Sequence, residues 1–556
     1  MGYHSYIDTC ATELVQVIGH FVPLESGRTL PAGRLCRDLE IRCSDISKRF
    51  HSPFLTVLGV NVRGQFFDWM EGDDGSLLVF LGRLFQSCKE PPCKYIMDGY
   101  KNSGCAIFSH LNGEFMFSLY DSERGALFLV KDHFGSRPIY YRWLEKSIFF
   151  STSLMYLIRL GPPLTIDKTA LVDLLLDGKI GSSRTLLSEI RKVRAGSYLE
   201  VRRDGFEEKT YWDPAELIAT ADSRRLDADE YLDALKESVR ERIEDLEAPF
   251  YSYLSGGTDS TLCASLLSEL LRERKSDGSL VTLSVDIDEK GWGEGELART
   301  CSRYIGSVHR ESLLTQMDFL QRIAEAIEVA EVCSKGDGGF PYFFAALLAS
   351  REGAGTVFSG DGADGGFGGR PSLIHSVVAH VIHSILRRRK ATWRGMRLVL
   401  AYVLKQLQTC VSGKTRGLRN LARTGVESID PAFFLRRRRE TSSRFWRRLV
   451  STRFVSEEEW KRALESLERD LEPVSGMSSF NAYRFLSFSK SDPSRFRALW
   501  NWHNSAKVTP TYPFMDRRVC EMILRRSPDA FYTQPRTKDF LRAILERRGF
   551  PRHITE

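Results

Sequence analysis

The sequence predicts an α/β protein in two parts. A layered, β-rich N-terminal domain is expected over residues 1–212, and a parallel-sheet α/β domain with helical insertions over residues 213–556. A chain of 556 residues is too long for one hydrophobic core. Short apolar runs alternate with turn residues in the first part, which is typical of strands. Helical patterns alternate with short buried strands in the second part, which indicates a parallel sheet covered on both faces.

The N-terminal part contains six apolar runs of strand length, followed by a helix and a hairpin. Residues 167–177 have helical spacing, and residues 197–212 predict a final hairpin with its turn at Asp204-Gly205. The six runs are FLTVLGVNV, SLLVFLGRLF, FMFSLYD, ALFLVKD, IYYRW and SIFFSTS.

The C-terminal part begins with an amphipathic helix over residues 229–246. The strand FYSYL, the helix STLCASLLSELLRER, the strand LVTLSVDI, the helix ELARTCSRYIG and the strand GTVFSG follow in order. Beyond Arg370 the pattern is mostly helical. This order predicts a parallel sheet with a helical addition.

Composition excludes several classes of protein. Hydrophobic residues make up 42% and charged residues 27%, ordinary values for a globular enzyme. No window approaches 18 uncharged apolar residues, and the N-terminus lacks the pattern of a signal peptide, so neither a membrane span nor secretion is predicted. Eleven cysteines without a dense framework indicate reduced thiols and a cytoplasmic location.

The positive charge is concentrated in one segment. Between Arg370 and Arg448, 19 lysines and arginines face three acidic residues, a net charge of +16, which leaves −9 for the rest of a chain whose total is +7. The like-charge clusters 387–390 and 436–439 need counter-charges nearby. Pairing within the protein is the preferred interpretation of this basic helical segment (about 370–450). An acidic peptide or partner protein ranks second, and nucleic acid last because aromatic residues are sparse there.

The strongest motif follows the strand FYSYL and precedes a helix. It reads Ser255-Gly256-Gly257-Thr258-Asp259-Ser260. Glycines let the backbone wrap around an anion, and a helix N-terminus offers unpaired N–H groups. The two serines can hydrogen-bond phosphate, and Asp259 is suited to Mg²⁺ bridging the phosphates of ATP. The alternative, a simple serine- and glycine-rich helix cap, accounts for Ser-Gly-Gly alone but not for the hexapeptide.

A second glycine-rich loop follows the strand Thr356-Val357-Phe358. It begins Ser359-Gly360-Asp361-Gly362-Ala363-Asp364. Loops at the carboxyl ends of parallel strands are where such sheets bind ligands. One carboxylate could hold the metal while the other acts in proton transfer. A solvated turn is the competing interpretation, since Gly and Asp are turn formers.

The two loops together resemble the synthetase domain of the asparagine synthetase family, and the first loop is similar to that of N-type ATP pyrophosphatases. Further stretches resemble the family's amidotransferase (Ntn-type) domain, its domain junction and its closing helices. The likeness covers most of the chain except about 370–500. The stretches are Leu111–Asp121, Lys131–Tyr141, Arg184–Leu186, Tyr211–Asp213, Pro513–Asp516 and Lys538–Arg542.

The resemblance implies a role for each matching residue. ATP phosphates and Mg²⁺ would be bound by the first loop, with Asp259 and Asp364 as metal ligands. Asp361 would lie near the reaction intermediate as the catalytic acidic residue. The implied ATP-binding residues are Ser255, Gly256, Gly257, Asp259, Ser260, Val285, Ser359 and Gly360. The implied reaction is adenylation of a carboxylate, then attack by an amine to give an amide.

The front half departs from the family pattern. Members that hydrolyse glutamine begin Met-Cys-Gly and use the processed N-terminal cysteine as nucleophile. Here the sequence begins Met1-Gly2-Tyr3, and Cys10 is expected to be an ordinary buried thiol. Leu81-Gly82 aligns with the family's glutamine-binding Asn-Gly, and residues 94–102 offer no counterpart to its amine-gripping aspartate. These losses predict a domain without glutaminase activity.

The same loss occurs in the β-lactam synthetase and lasso peptide cyclase branches, where the attacking amine belongs to the substrate. We therefore expect an AMP-forming ligase acting on a small-molecule or peptide carboxylate and amine. The family's catalytic lysine, shortly after the KxxLR helix, has no counterpart before Glu556; Lys538 matches the helix lysine. An ammonia-dependent asparagine synthase and a degenerate nucleotide-binding relative that assists a partner are the alternatives.

Overall fold

The computed structural model describes most of the chain, and the account below is confined to that part. The described residues are 16–22, 35, 46–60, 67–85, 90–178, 180–181, 183–274, 279–288, 295–331, 339–369, 378, 382, 393–411, 443, 445–447, 449–450, 454–469, 472–474, 477–490, 493–551 and 554. The start of the chain with Cys10, and the clusters 387–390 and 436–439, therefore lie outside them.

Seventeen strands occur in the described residues. They are β1 (Gln16–Phe21), β2 (Ile46–His51), β3 (Leu55–Val60), β4 (Phe67–Glu71), β5 (Leu77–Leu84), β6 (Gly113–Asp121), β7 (Ala126–Lys131), β8 (Tyr140–Leu144), β9 (Ser147–Ser151), β10 (Ile190–Lys192), β11 (Ser197–Arg202), β12 (Gly205–Thr210), β13 (Phe250–Tyr253), β14 (Leu280–Ile287), β15 (Val308–Leu314), β16 (Thr356–Phe358) and β17 (Thr509–Thr511).

The α-helices of the described residues connect and cover these strands. They are α1 (Pro92–Ser103), α2 (Leu154–Ile158), α3 (Lys168–Asp177), α4 (Pro214–Ala219), α5 (Ala228–Ile243), α6 (Thr258–Glu273), α7 (Gly295–Ile305), α8 (Gln316–Ala330), α9 (Phe340–Arg351), α10 (Ala363–Phe367), α11 (Trp393–Val411), α12 (Glu457–Arg469), α13 (Ser479–Phe485), α14 (Pro493–Ser505), α15 (Arg517–Leu524) and α16 (Asp539–Arg547).

The chain forms two compact units. The first comprises residues 1–213, 315–355 and 489–510, and the second comprises residues 214–314, 356–488 and 511–556. The two predicted parts are contiguous in sequence, whereas α8, α9 and α14 join the first unit. The Trp502 indole N–H donates to the Ala326 carbonyl at 2.7 Å, and Asn501 donates to the Ala330 carbonyl at 3.1 Å. Helices α8 and α14 are therefore hydrogen-bonded to each other within the first unit.

The first unit has the layered β-rich architecture that the sequence predicts. Its two antiparallel sheets have the strand orders β10-β8-β9-β1-β3-β2 and β12-β11-β7-β6-β5-β4. A buried apolar cluster between the sheets draws residues from both, among them Val57 and Leu129. Helix α1 buries Ile96 against the other face of the second sheet, and α2 buries Leu157 against the other face of the first. The order of layers is helix, sheet, sheet, helix.

The final hairpin of this unit turns one residue earlier than predicted. Arg202 pairs with Gly205, so the two-residue turn is Arg203-Asp204 rather than Asp204-Gly205. Gly205 opens the returning strand with a φ of +136°, a conformation that glycine adopts without strain. The predicted hairpin is present, and its glycine lies directly after the turn rather than within it.

The second unit contains the predicted sheet, with the strand order β15-β14-β13-β16-β17. The pairs β13–β14, β13–β16 and β14–β15 are parallel. Helices α5 and α6 contribute Leu235 and Leu266 to a core that also holds Phe250 and Leu280 from the strands. Strand β15 is not among the predicted strands. Its residues, VHRESLL, are mostly exposed or half-buried, so it lacks the apolar run that marks a buried strand.

Candidate nucleotide and metal site

The first glycine-rich loop joins β13 to α6. Gly256 has a φ of +80°, and a Cβ added to it would lie 2.7 Å from Leu297 Cγ and 2.8 Å from the Leu297 carbonyl carbon. A side chain is therefore excluded on both conformational and steric grounds. The loop follows its strand closely because the Leu254 N–H donates to the Leu283 carbonyl on β14 at 2.9 Å.

Hydroxyl groups hold the first loop in shape. Ser255 Oγ accepts from the Gly257 N–H at 3.3 Å and lies 3.2 Å from Ser260 Oγ. The N-cap residue of α6 is Gly257, which supplies no side-chain hydrogen bond to the helix. Backbone N–H groups at an uncapped helix N-terminus attract anions through their orphan donors and the helix dipole. The loop is thus built to receive an anion such as a phosphate.

The second loop lies directly against the first. A Cβ added to Gly360 would stand 2.6 Å from the Ser260 amide nitrogen and 2.7 Å from the Asp259 carbonyl carbon. Ser359 donates its hydroxyl to Asp361 Oδ2 at 2.6 Å and accepts from the Asp361 N–H at 3.3 Å. The absence of a side chain at Gly360 is what lets the two loops touch.

We expect Gly360→Ala to weaken nucleotide binding by about tenfold or more, because the added methyl group must push the backbone at Ser260 out of position. Gly355→Ala is the matched control, since its Cβ would meet nothing within 4 Å. The measurement is calorimetric affinity for ATP with Mg²⁺. Equal affinities for the two variants would show that the contact between the loops does not shape the site.

The two loops emerge at a switch point of the sheet. From β13 the chain proceeds to β14 and β15 on one side, and then returns to β16 on the other side. Open α/β sheets bind ligands in the crevice outside the carboxyl ends of the strands where the order reverses. Val285 lies on β14 two residues beyond Leu283, which pairs with the last residue of β13. It is half-buried at the same edge of the sheet.

A lysine joins the two predicted metal-binding carboxylates. Lys538 Nζ lies 2.6 Å from Asp259 Oδ2 and 2.6 Å from Asp364 Oδ1. Asp364 belongs to the short helix α10 and folds beside Gly369, where a Cβ would overlap its carboxylate. Lys538 has a φ of +52° and immediately precedes α16. The sequence matched Lys538 only to a helix lysine and did not place it in the site.

Burial and charge set the electrostatics of this trio. Burial raises the pKa of Asp259 to about 6, an effect that the Lys538 ammonium opposes and the nearby Asp364 and Asp361 carboxylates reinforce. Burial alone would lower the pKa of Lys538, but Asp259 and Asp364 outweigh it and raise that pKa above its usual value. The lysine is therefore a permanent cation between the two carboxylates at neutral pH.

The residues fit a magnesium ion. Asp259 Oδ1 is buried and has no hydrogen-bond partner among the described residues, so it is an unused acceptor. No group of three or more His, Cys, Asp or Glu suited to a metal occurs in the described part of the chain. The remaining ligands would have to be phosphate oxygens and water, which is how Mg²⁺ is commonly held at nucleotide sites. Asp259 and Asp364 would be the protein ligands.

An aromatic cluster connects the elements that carry Asp364 and Lys538, and no motif in the sequence indicates it. Phe367 comes three residues after Asp364, and Phe540 two residues after Lys538. Their ring centroids are 5.5 Å apart, and each lies 5.5 Å from the ring of Tyr231 on α5. Tyr231 and Phe367 are fully buried. The elements that carry Asp364 and Lys538 are thus joined through packed rings. Short sequence motifs do not reveal such a contact, because its residues are far apart in the chain.

Leu81, which the resemblance aligns with the family's glutamine-binding Asn, has an apolar environment in the first unit. Leu81 lies on β5 with 2% of its surface exposed and packs between the two sheets. A Cβ added to Gly82 would overlap the Glu114 carbonyl oxygen. In α1, Lys94 pairs at the surface with Glu90 and Asp98.

Comparison with known proteins agrees with this arrangement. Residues 230–556, more than half of the chain, match the asparagine synthase family. The chain belongs to the asparagine synthase family. Residues 84–212 match the glutamine amidotransferase domain, so the expected family and fold class are confirmed.

Individual relatives are distant. Amidase chyE of Penicillium rubens is 27% identical over 359 residues, which cover 60% of this chain and 51% of that protein. Amidase chry2 of Gibberella zeae is 28% identical over 366 residues, with 61% and 52% covered. Asparagine synthetase [glutamine-hydrolyzing] 1 of Bacillus subtilis is 26% identical over 262 residues, with 47% and 40% covered. The chain spans about half the length of the first two relatives. In its described part, no helix is long and apolar enough to cross a membrane.

Proposed function

We propose that this chain is an ATP-dependent, AMP-forming ligase that joins a carboxylate to an amine. One observation carries the proposal. At the switch point of a parallel sheet, an uncapped helix N-terminus lies against a second glycine-rich loop, and Asp259 and Asp364 converge on one cationic position. Polyphosphate needs donors of this kind, and Mg²⁺ needs such carboxylates.

In this proposal, different residues bind the phosphates, the metal ion, the nucleoside and the intermediate. The N–H groups and hydroxyls of Ser255, Gly256, Gly257 and Ser260 would bind and orient the phosphates. Mg²⁺, when bound, would neutralise phosphate charge and favour departure of pyrophosphate. Val285 would lie by the adenine, and Ser359 and Gly360 would line the nucleotide pocket. Asp361, which accepts a hydrogen bond from the Ser359 hydroxyl, would lie near the reaction intermediate.

The reaction has two steps. A carboxylate oxygen of the substrate attacks the α-phosphorus of ATP, the bond to the β-phosphate oxygen breaks, and pyrophosphate leaves. The amine nitrogen then attacks the acyl carbon of the adenylate, AMP departs with the bonding electrons, and one proton is lost from nitrogen. The loops contribute by holding the phosphates in line, a positioning effect that lowers the entropy cost of the first step.

The amine is proposed to come from the substrate rather than from glutamine. This is supported by Leu81, which packs in the apolar core and which the resemblance aligns with the family's glutamine-binding Asn. A substrate that carries both groups, and closes into a ring, suits the glutaminase-lacking branches that the sequence resembles. An acidic substrate or partner at the basic helical segment is part of the same proposal, and that segment lies largely outside the described residues.

We expect the purified protein to release no glutamate from glutamine, with or without ATP, because Leu81 offers no polar contact to the substrate amide. An enzyme-coupled glutamate assay measures this. Glutamate release that thiol alkylation abolishes would contradict the prediction and restore a cysteine-dependent glutaminase.

Exchange between ATP and labelled pyrophosphate tests the ligase itself. Exchange that depends on both Mg²⁺ and an added carboxylate supports adenylation. Exchange with aspartate, followed by asparagine formation from ammonia, would instead identify an ammonia-dependent asparagine synthase.

The bridge from Lys538 to both carboxylates favours a second candidate, a nucleotide-binding relative without turnover. ATP binding without exchange for any carboxylate tested would favour that candidate.

A further inference from the structure

Lys538 bridges the two carboxylates that are proposed to hold Mg²⁺. Its ammonium lies at 2.6 Å from an oxygen of each carboxylate, and its side chain is only 16% exposed. The two distances are equal, so the cation is shared rather than paired with one partner. Charge-assisted hydrogen bonds of this length are strong, and more so where water is limited.

Hydrogen bonds of the neighbouring residues anchor the backbone that carries Lys538. The next residue, Asp539, is buried, and its Oδ2 accepts from the N–H groups of Thr533 at 2.6 Å and Gln534 at 2.9 Å. Its Oδ1 accepts from Arg536 Nε at 2.5 Å. The Lys538 carbonyl accepts from the Arg542 N–H at 3.0 Å in the first turn of α16. A rigid turn therefore presents a long, unbranched side chain to the carboxylates.

We propose that Lys538 is an internal counter-cation, which holds the metal position while the nucleotide is absent and is displaced when Mg²⁺ and nucleotide bind together. The proposal rests on the magnesium site described under Proposed function. Two carboxylates and one ammonium carry a net charge of −1, and the Asp361 carboxylate and the Arg542 guanidinium, which also act on Asp259, leave that sum unchanged. A divalent cation added alone would make the group net positive and bring two cations together, which is unfavourable at short range.

A polyphosphate removes this obstacle. Its negative charges can bind both the metal ion and the displaced ammonium, because the first glycine-rich loop carries both the N-terminus of α6 and Asp259. Metal and nucleotide should therefore bind together, each strengthening the other, as linkage requires. Lys538 thus sets the binding order: free Mg²⁺ is excluded and the metal–nucleotide complex is admitted.

Binding of Mn²⁺, followed by electron paramagnetic resonance, tests the proposal without any turnover. Wild-type protein should bind Mn²⁺ weakly alone, and at least about tenfold more tightly with a non-hydrolysable ATP analogue. Lys538→Met should bind Mn²⁺ alone about tenfold more tightly than wild type, since the competing cation is gone. Lys538→Arg keeps the charge and should stay weak. Arg547→Met is the matched control: it removes a cation near the other end of α16 that pairs at the surface with Asp229.

Wild-type protein that binds Mn²⁺ equally well with and without the analogue would overturn the proposal, and this result needs no variant. Lys538→Met that folds, as judged by its thermal unfolding, but gains no Mn²⁺ affinity would overturn it as well. The ligase proposal can fail separately: tighter Mn²⁺ binding by Lys538→Met, with no pyrophosphate exchange in wild type, would support the counter-cation and reject the ligase.

Discussion

Replacing Asp259 or Asp364 by asparagine is expected to lower Mg²⁺-dependent exchange between ATP and pyrophosphate by about a thousandfold or more. Each substitution keeps the shape of the side chain and removes one negative charge from the metal position. Asparagine also cannot balance the Lys538 ammonium, which then lacks one of its two anionic partners. Both the metal and the arrangement that receives it are lost.

Asp259→Asn should change the free energy of unfolding more than Asp364→Asn does. The Asp259 side chain is 14% exposed and that of Asp364 is 52% exposed, so a change in charge is screened much less at Asp259. Glu311→Gln is the matched control, because Glu311 pairs with Arg299 on the exposed face of β15 and takes no part in the site. Exchange and thermal unfolding are measured on all three. An Asp364→Asn protein that exchanges at the wild-type rate would remove that residue from the metal site.

Local signals made the two loops predictable. Gly256 and Gly360 are glycines because a side chain would collide with backbone, and such glycines are visible in the sequence directly after an apolar strand. Parallel strands then place both loops at one edge, so the approach of Asp259 and Asp364 follows from the alternation of strands and helices. The layered first unit was predictable for the same reason, since its strands are short apolar runs between turns.

Contacts between distant segments were not predictable. Lys538 reaches Asp259 only because α16 packs near α6 and its preceding turn holds the lysine at a φ of +52°. Nothing in the local pattern of that segment specifies which carboxylates it meets. Likewise, α8 and α14 are amphipathic helices whose sequences do not say which core they join, and they belong to the first unit. Strand β15 was not predictable either, because its residues are largely polar and mostly exposed or half-buried.

Phe367→Ala is expected to destabilise the second unit by about 3–5 kcal/mol, the range for deleting a fully buried aromatic ring. The Phe367 ring is fully buried and packs against Tyr231, Phe531 and Phe540. Its carbonyl also accepts a hydrogen bond from the Tyr532 hydroxyl. Close-packed interiors relax only partly around a lost ring, so a cavity and lost contacts both contribute.

The effect should extend to the charged trio, because the cavity opens between the elements that carry Asp364 and Lys538. Phe367→Ala is therefore expected to lower the urea midpoint of the second unit and also the rate of exchange between ATP and pyrophosphate. Phe367→Leu should have a smaller effect on both quantities. Leu404→Ala on α11 is the matched control, since that side chain is 52% exposed. Tyr231→Phe separates the ring from its hydroxyl, which has no hydrogen-bond partner among the described residues; we expect this variant to be as stable as wild type or more so. If Phe367→Ala lost stability but kept full exchange, the rings would be ordinary core, and the position of Lys538 would depend on its own turn alone.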